Sequence, residues 1–293
     1  MRKLIDDMCS VKFSLLGDFL KNSVLTFVLA FSLVACSQQP ATSQERIDFS
    51  KSSLGKNDAS RVVNTRISEN NSFALNSTEI DSIVRDVMNS AYGAGNFDQA
   101  RRCWKYEFNA SGEPLDYCMV GLVSKVSNDG EGVKLYIQAH SDPQAAIYSQ
   151  VDPGLQGLFV VGVDAGKKAK TLAAKPAMDM GQAGDCGCLD AKVIQVGPAR
   201  YGWLSTTGGI WQGVQVTRYS LYVPIGMEIR DVSGIPRVAE KSPSEINEFR
   251  VMTGGDVVAG MYPLEITRKR GDTVVETRLV PYDETKRTYP WNP

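Results

Sequence analysis

The most distinctive chemical cluster in the sequence is Cys186-Gly187-Cys188, which follows Met178-Asp179-Met180. Two thiolates and two thioethers are soft ligands, and such ligands select Cu(I). Closely spaced thiols in the reduced state could instead carry out thiol–disulfide exchange. In an oxidising compartment, however, cysteines are normally paired in structural disulfides. We therefore interpret Cys186 and Cys188 as structural, and we keep a redox or copper site that also uses Met178 and Met180 as the alternative.

His140, the single histidine of the chain, ends a predicted strand and is followed by Ser141-Asp142. Histidine is the side chain that most often acts as a general base near neutral pH. The sequence nevertheless lacks the Gly-x-Ser-x-Gly pattern of a hydrolase nucleophile, and it lacks phosphate-binding glycine loops and zinc motifs. We expect His140 to be a surface or capping residue, the protein to be non-enzymatic, and no cofactor to be bound.

Aromatic residues lie on successive predicted strands around Gly208-Gly209: Tyr201, Trp203, Trp211, Tyr219 and Tyr222. If exposed on one face, Trp203, Trp211 and Tyr219 would make a binding surface for a sugar, a peptide or a partner protein. Burial in the core is the favoured interpretation, because the surrounding positions are apolar: Val214, Val216, Leu221 and Val223.

The elements that carry these residues are mainly strands. Short runs rich in β-branched residues and separated by turns predict a mainly β fold, α+β at most, built as an antiparallel β-sandwich or barrel. Hairpin turns are predicted at 128–132 and at Gly271-Asp272. Residues 97–108 fit either a helix or a strand, 166–189 are predicted to be irregular, and 243–249 are predicted to form one helical turn.

One amphipathic helix is predicted over 78–91, where apolar residues recur at helical spacing and Gly93 follows as a terminator. It begins the region 77–293, which we expect to be a single β-rich globular domain. Residues 36–76 are polar and poor in large apolar side chains, and they are predicted to form a flexible tether.

The N-terminal region contains an apolar run, Val24 to Ala35, that is too short to span a hydrocarbon core about 30 Å thick comfortably. The run ends in Leu33-Val34-Ala35-Cys36, and Ser37 follows. This arrangement resembles the signal peptide and lipobox of bacterial lipoproteins. Translation could start at Met1 or at Met8, since Asp6 and Asp7 dilute the positive charge expected at the start of a signal peptide.

The resemblance implies removal of residues 1–35 by cleavage between Ala35 and Cys36, and attachment of a diacylglycerol and further acyl chains such as palmitate to Cys36. It also implies contact with the lipoprotein processing and sorting machinery. The protein is then exported and lipid-anchored in the cell envelope, with the periplasm as an expected compartment; the resemblance leaves open which face of the membrane carries it. Ser37, in place of Asp, favours the outer membrane if the source is Gram-negative.

Four cysteines remain after Cys9 leaves with the signal peptide and Cys36 takes lipid: Cys103, Cys118, Cys186 and Cys188. An even number in an oxidising compartment indicates two disulfides, for which three connectivities are possible. Cys103–Cys118 is favoured because residues 109–114 look like a chain reversal, and closing this loop would stabilise the fold by about 3 kcal/mol.

Charge limits the partner classes. The chain has 32 Lys and Arg against 33 Asp and Glu, a balance that argues against nucleic-acid binding driven by phosphate contacts.

The expected role is a lipid-anchored binding or structural accessory that contacts another envelope component. The alternative role is a redox or copper-binding protein centred on Cys186-Gly187-Cys188.

Overall fold

The computed structural model of the protein describes residues 74–291 except 110–112, 129–131 and 212–213, and the side chains of 210–214 are outside the description as well. The expected signal peptide, the lipid attachment site Cys36 and nearly all of the tether 36–76 lie outside the described residues. The described residues belong to one compact unit, Ile67–Pro293. Among them, no helix is both long enough and apolar enough to cross a membrane.

The helix expected over 78–91 is present as α1, Ser77–Tyr92. Its first turn is closed by a reciprocal pair of hydrogen bonds, in which Asn76 Oδ1 accepts from Glu79 N and Glu79 Oε2 accepts from Asn76 N, each at 2.9 Å. Its last turn ends at Gly93, whose φ of 92° is costly for residues with a Cβ. One turn of 3-10 helix follows at Ala94–Asn96.

Fourteen strands follow within the described residues, and the fold is mainly β. The first seven are β1 (Phe97–Asp98), β2 (Cys103–Asn109), β3 (Pro114–Asn128), β4 (Val133–Ser141), β5 (Gly154–Val163), β6 (Ala169–Met180) and β7 (Lys192–Gly197). The others are β8 (Arg200–Trp211), β9 (Val214–Ile225), β10 (Glu228–Asp231), β11 (Pro236–Val238), β12 (Glu245–Val251), β13 (Leu264–Arg270) and β14 (Thr273–Val280).

The strands form one large and one small sheet. The large sheet has the order β1-β2-β3-β4-β5-β6-β10-β9-β8-β7, with β11 paired to β9, and the small sheet has the order β12-β13-β14. All strand pairs are antiparallel except β6 and β10, which run parallel and meet in register at Ala174 and Glu228. The prediction of a mainly β fold with antiparallel sheets is confirmed. The described strands form no closed barrel, so the barrel alternative is wrong.

Three groups of buried side chains hold these layers together. The first lies between α1 and one face of β2–β5, where Met88 fills the space that Gly121 of β3 leaves open. The second joins β4, β5 and β6 to β8, β9 and β10, and Trp203 lies within it. The third lies between the small sheet and β7–β9, and Leu221 and Ile266 meet there. The strand faces that carry these three groups are therefore covered by other elements of the chain.

Two local predictions are wrong. The stretch 166–189, expected to be irregular, contains the long strand β6, because pairing with β5 along its length outweighs the low β propensity of its Lys and Ala residues. The stretch 243–249, expected to form a helical turn, contains β12. Its inward residues near the start are polar, Glu245 and Asn247, while Ile246 points outward, so its hydrophobic pattern is inverted. The ambiguous stretch 97–108 is resolved as β1, a turn and β2.

Candidate functional site

Cys103 and Cys118 lie on neighbouring strands of the hairpin formed by β2 and β3. Their Cα atoms are 5.4 Å apart and are joined through a disulfide, and both residues are buried. The hairpin register pairs Asn109 with Pro114, so the chain reverses within the segment that the sequence indicated. The structure agrees with the favoured pairing.

Cys186 and Cys188 form the second disulfide, with Cα atoms 5.1 Å apart. The two cysteines are 3% and 0% exposed, whereas Gly187 between them faces solvent. The loop is fixed from both sides: Gln138 Nε2 donates to the Cys188 carbonyl oxygen at 2.8 Å, and Gly187 N donates to Asp185 Oδ1, also at 2.8 Å. A second carbonyl of the loop, that of Gly184, accepts from the Ser141 hydroxyl at 2.7 Å.

The two methionines of the proposed copper site do not complete a metal centre with these sulfurs. Met178 is buried in the same core as Trp203, and Met180 is only partly buried at the end of β6. In the part of the chain that the structure describes, no three His, Cys, Asp or Glu side chains are grouped so that they could hold a metal ion. The sulfur atoms of Cys186 and Cys188 are bonded to each other and are not free thiolates.

His140 lies at the end of β4 and is partly buried. Its Nδ1 is 3.2 Å from the carbonyl oxygen of Ser141, and its β5 neighbour across the strand pair is Gln156. These are backbone contacts at the end of a strand. The hydroxyl of the adjacent Ser141 donates to the Gly184 carbonyl oxygen.

The aromatic group around Gly208-Gly209 is mainly core. Trp203 is fully buried, with its ring centroid 5.5 Å from that of Tyr136, so it cannot belong to an exposed binding surface. Tyr219 is half-buried and its hydroxyl donates to the Asn247 carbonyl oxygen at 2.8 Å. Burial raises the pKa of Tyr219, which keeps this hydroxyl protonated as a donor. The side chain of Trp211 lies outside the described part.

A different surface has the properties of a binding site. Two adjoining cavities of about 370 and 430 Å³ lie where β9 and β11 of the large sheet meet β12 and β13 of the small sheet. They share four lining residues, and we call their combined space the Trp291 groove: Pro236, Ala239, Glu240 and Trp291. Each volume falls in the range of about 300–1,000 Å³ that is typical of small-molecule sites.

Buried polar atoms without partners lie beside the Trp291 groove. Asn247 is only 5% exposed; its Nδ2 donates to the Pro236 carbonyl oxygen at 2.7 Å, but its Oδ1 has no partner. Thr217 is 8% exposed, and its Oγ1 also has no partner. The Nε of Arg268 is a third such atom. Leaving a buried polar group unpaired costs about 1–3 kcal/mol. These three atoms have almost no accessible surface, so they are covered by their neighbours and are not open to the groove.

The charged groups of the Trp291 groove compensate each other. Glu245, which is 8% exposed, accepts from Arg270 at 2.6 Å and lies 3.7 Å from Arg268. Arg268 also contacts Glu276 at 2.9 Å. The guanidinium of Arg278 lies 5.0 Å from the centre of the Trp291 ring, a cation–π arrangement that holds the indole in place. Most of the charged side chains around the groove are therefore paired with an opposite charge.

Sequence reasoning missed this site for two reasons. The sequence predicts a helical turn at Asn247. Residues 245–251 alternate, however, and the polar residues near the start of this stretch would face inward, which is typical of a strand beside a cavity. Trp291 stands alone after the last strand, between Pro290 and Asn292, where no motif draws attention to it. An isolated tryptophan in a C-terminal segment is the one signal that was available.

Comparison of the chain with protein-family models, with curated proteins and with solved structures finds no match.

Proposed function

We propose that this protein is an exported bacterial lipoprotein, anchored in the cell envelope through lipid on Cys36, that binds another envelope component and is not an enzyme. One observation carries the proposal: the apolar run Val24 to Ala35 ends in Leu33-Val34-Ala35-Cys36 and is followed at once by Ser37 and a polar tract. Lipid anchoring requires more than one acyl chain, since a single chain gives only marginal membrane binding.

The cysteines of the folded part support export. All four are paired within the described part of the chain, in two disulfides that are buried. Disulfides of this kind persist in oxidising compartments and are rare in the cytosol. The polar stretch 36–76 would let the folded part stand away from the membrane surface, with a coil dimension of about 35 Å for some 40 residues.

A binding role is supported by the Trp291 groove and by the packing around it. We propose a scaffold of sandwich type, in which the small sheet covers part of the large sheet and the groove opens at their margin. The redox or copper-binding alternative is weaker, because Cys186 and Cys188 are bonded to each other and nearly inaccessible to solvent. Reactive cysteines need access to solvent and an exposed thiolate.

The proposal is tested by acylation of the full chain in its native host. Cells are grown with an alkyne analogue of palmitate, and the wild type is compared with Cys36→Ala. We expect the wild type to be labelled and found in the membrane fraction, and Cys36→Ala to be unlabelled and to accumulate as the longer precursor. The matched control is Cys9→Ala, which removes a cysteine that should leave with the signal peptide and should change neither property. Labelling that persists in Cys36→Ala would contradict the proposal.

A further inference from the structure

We propose that two copies of this chain associate through strand β14, which pairs antiparallel with β14 of the second copy about a two-fold axis at Thr277. The small sheets of the two copies, with the order β12-β13-β14 in each, would then form one continuous sheet. This pairing goes beyond the proposed function, because it names a second copy of the chain as a partner and does not depend on lipid at Cys36.

Strand β14, Thr273–Val280, is an edge of the small sheet. In the described part of the chain it pairs with β13 on one side, and no strand lies on its other side. The bridges of the C-terminal segment join other residues: Tyr289 pairs with Ser233, and Thr288 pairs with Asp283. An edge strand presents backbone N–H and C=O groups that can pair with another strand. A strand can therefore be added at the outer edge of β14.

Side chains that could contact a second copy project from the exposed face of β14. Val274 and Val275, the two residues at a bulge in the pairing with β13, are 54% and 44% exposed. Leu279 is 59% exposed, and Thr277 is exposed as well. Covering these side chains with a second copy removes apolar surface from water, which favours association.

Side-chain alternation restricts the position of the two-fold axis. Directly opposed residues of an antiparallel pair lie on the same face of the sheet, and successive residues of one strand lie on opposite faces. A two-fold axis perpendicular to the sheet keeps each residue on its face. The axis must therefore pass through a residue of β14, because an axis between two residues would oppose side chains of different faces.

The charges of β14 select Thr277 as that residue. With the axis at Thr277, Glu276 lies opposite Arg278 of the second copy, and this pair occurs twice. An axis at Glu276 or at Arg278 would instead place two carboxylates or two guanidinium groups directly opposite each other, which is destabilising. Both side chains are already held at this edge, since Arg278 contacts Glu276 at 2.7 Å within one chain. The pairing would extend an existing ion-pair network, and like charges disfavour the neighbouring registers.

The same axis brings the exposed apolar side chains together. Leu279 of one copy meets Val274 and Val275 of the other, and the two Thr277 side chains lie between these contacts. The bulge at one end of β14 and Pro281 after its other end limit the regular pairing to this stretch. Because the two-fold pairing uses the free edge of both strands, the assembly closes as a dimer and does not extend into a filament.

Cysteine cross-linking of the full-length protein tests the axis directly, in mild detergent in large excess over the protein. Thr277→Cys places two thiols at the axis, where opposed Cα atoms are about 4.5–5.5 Å apart, within the reach of a disulfide. Thr267→Cys is the matched control: Thr267 lies opposite Thr277 on β13, and its two copies would be about 15 Å apart, three strand spacings. On air oxidation we expect Thr277→Cys to give a covalent dimer, and Thr267→Cys to give at least about tenfold less.

Charge variants test the register by sedimentation velocity. Glu276→Arg and Arg278→Glu each oppose like charges in a dimer of one variant, whereas an equimolar mixture opposes unlike charges at both positions. We expect the wild type to dimerise weakly, with a dissociation constant of about 10–100 μM, and each variant alone at least about tenfold more weakly. The mixture should recover the wild-type affinity. A variant that fails to fold would not be rescued by mixing, so recovery separates charge from folding.

Three results would overturn the proposal: a wild type that stays monomeric at up to about 500 μM, equal cross-linking of Thr267→Cys and Thr277→Cys, or a mixture that associates no more strongly than its components. Cross-linking of Thr277→Cys to a different protein in the native host would also overturn it, since another partner would then occupy the edge. Acylation of Cys36 is measured separately, so a monomeric protein that is still acylated leaves the lipoprotein proposal standing.

Discussion

Removal of either disulfide should destabilise the fold, and the loss should be greater for the disulfide that closes the larger ring. Cys103 and Cys118 are separated by 15 positions, and Cys186 and Cys188 by two. The chain-entropy relation gives about 3 kcal/mol for the larger ring and about 1.6 kcal/mol for the smaller one at 25 °C. All four cysteines are buried, so alanine replaces each sulfur without adding a buried hydroxyl that would need a partner.

The assay is urea unfolding of two double variants of the full chain, Cys103→Ala/Cys118→Ala and Cys186→Ala/Cys188→Ala, in the same detergent and with circular dichroism as the readout. Each variant loses two buried sulfurs, so the packing losses are similar and the difference reports ring size. With a urea dependence of about 3 kcal/mol/M, the ring entropy lowers the midpoint by about 1 M in the first variant and by about 0.5 M in the second. Because the packing losses add similarly to both, the midpoint of the first variant should lie about 0.5 M below that of the second. The wild type with both disulfides intact is the reference.

The reverse order would refute the reasoning. If loss of the small ring lowers the midpoint more than loss of the large ring, then the Cys186–Cys188 bond stabilises the folded state directly, and the entropy of the unfolded chain is not the main effect. The hydrogen bond from Gln138 to the Cys188 carbonyl oxygen would be the first contact to examine. Gln138→Leu, measured in the wild type and in the second variant, would show whether the two are coupled.

Gly157→Ala should destabilise the fold by about 1–3 kcal/mol in urea unfolding, because the added Cβ would come closer than 3.0 Å to the Tyr92 hydroxyl and to the Pro176 carbonyl oxygen. Gly209→Ala, which meets nothing within 4 Å, is the control, and an equal loss there would contradict this account. Burial and then the neighbouring Tyr117 raise the pKa of Tyr148 to about 12. Because the tyrosine ionises at a lower pH in the unfolded chain, the contribution of Tyr148 to stability should be constant below pH 10 and should fall between pH 10 and 12. The measurement is the difference in unfolding free energy between the wild type and Tyr148→Phe, and a difference that does not change between pH 10 and 12 would contradict this.

Elements that depend only on residues close together in the sequence could be predicted. Helix α1 shows its apolar stripe, and the β13–β14 hairpin turns at Gly271-Asp272 as expected, with a positive φ at Gly271. The pairing of Cys103 with Cys118 also follows from a local reversal of the chain. The helix begins one residue earlier than predicted, at Ser77, with Asn76 as its cap. Such signals are readable because sequence spacing and spatial spacing coincide over short distances.

Features that depend on distant partners could not be predicted. Strand β6 is made by β5 on one side and β10 on the other, and its own residues do not favour a strand. The inward polar face of β12 is stabilised by two distant contacts: Arg270 donates to Glu245, and Asn247 Nδ2 donates to the Pro236 carbonyl oxygen. The Trp291 groove combines residues from five strands, β8, β9, β11, β12 and β13, with the loop after β11 and the C-terminal segment. Its existence depends on how two sheets meet, which no local pattern reports.

The parallel contact between β6 and β10 has a consequence for the order of folding. Strands β1–β6 and strands β7–β10 each form a run of neighbouring antiparallel pairs, and one residue pair, Ala174 and Glu228, joins the two runs in register. Hairpins of low contact order assemble early, whereas a pairing across more than 50 residues must wait for loop closure. We therefore expect the two runs to fold as separate units and the shared core around Trp203 to form last. Native-state hydrogen exchange tests this, and the seam between β6 and β10 is expected to open before the strands on either side of it.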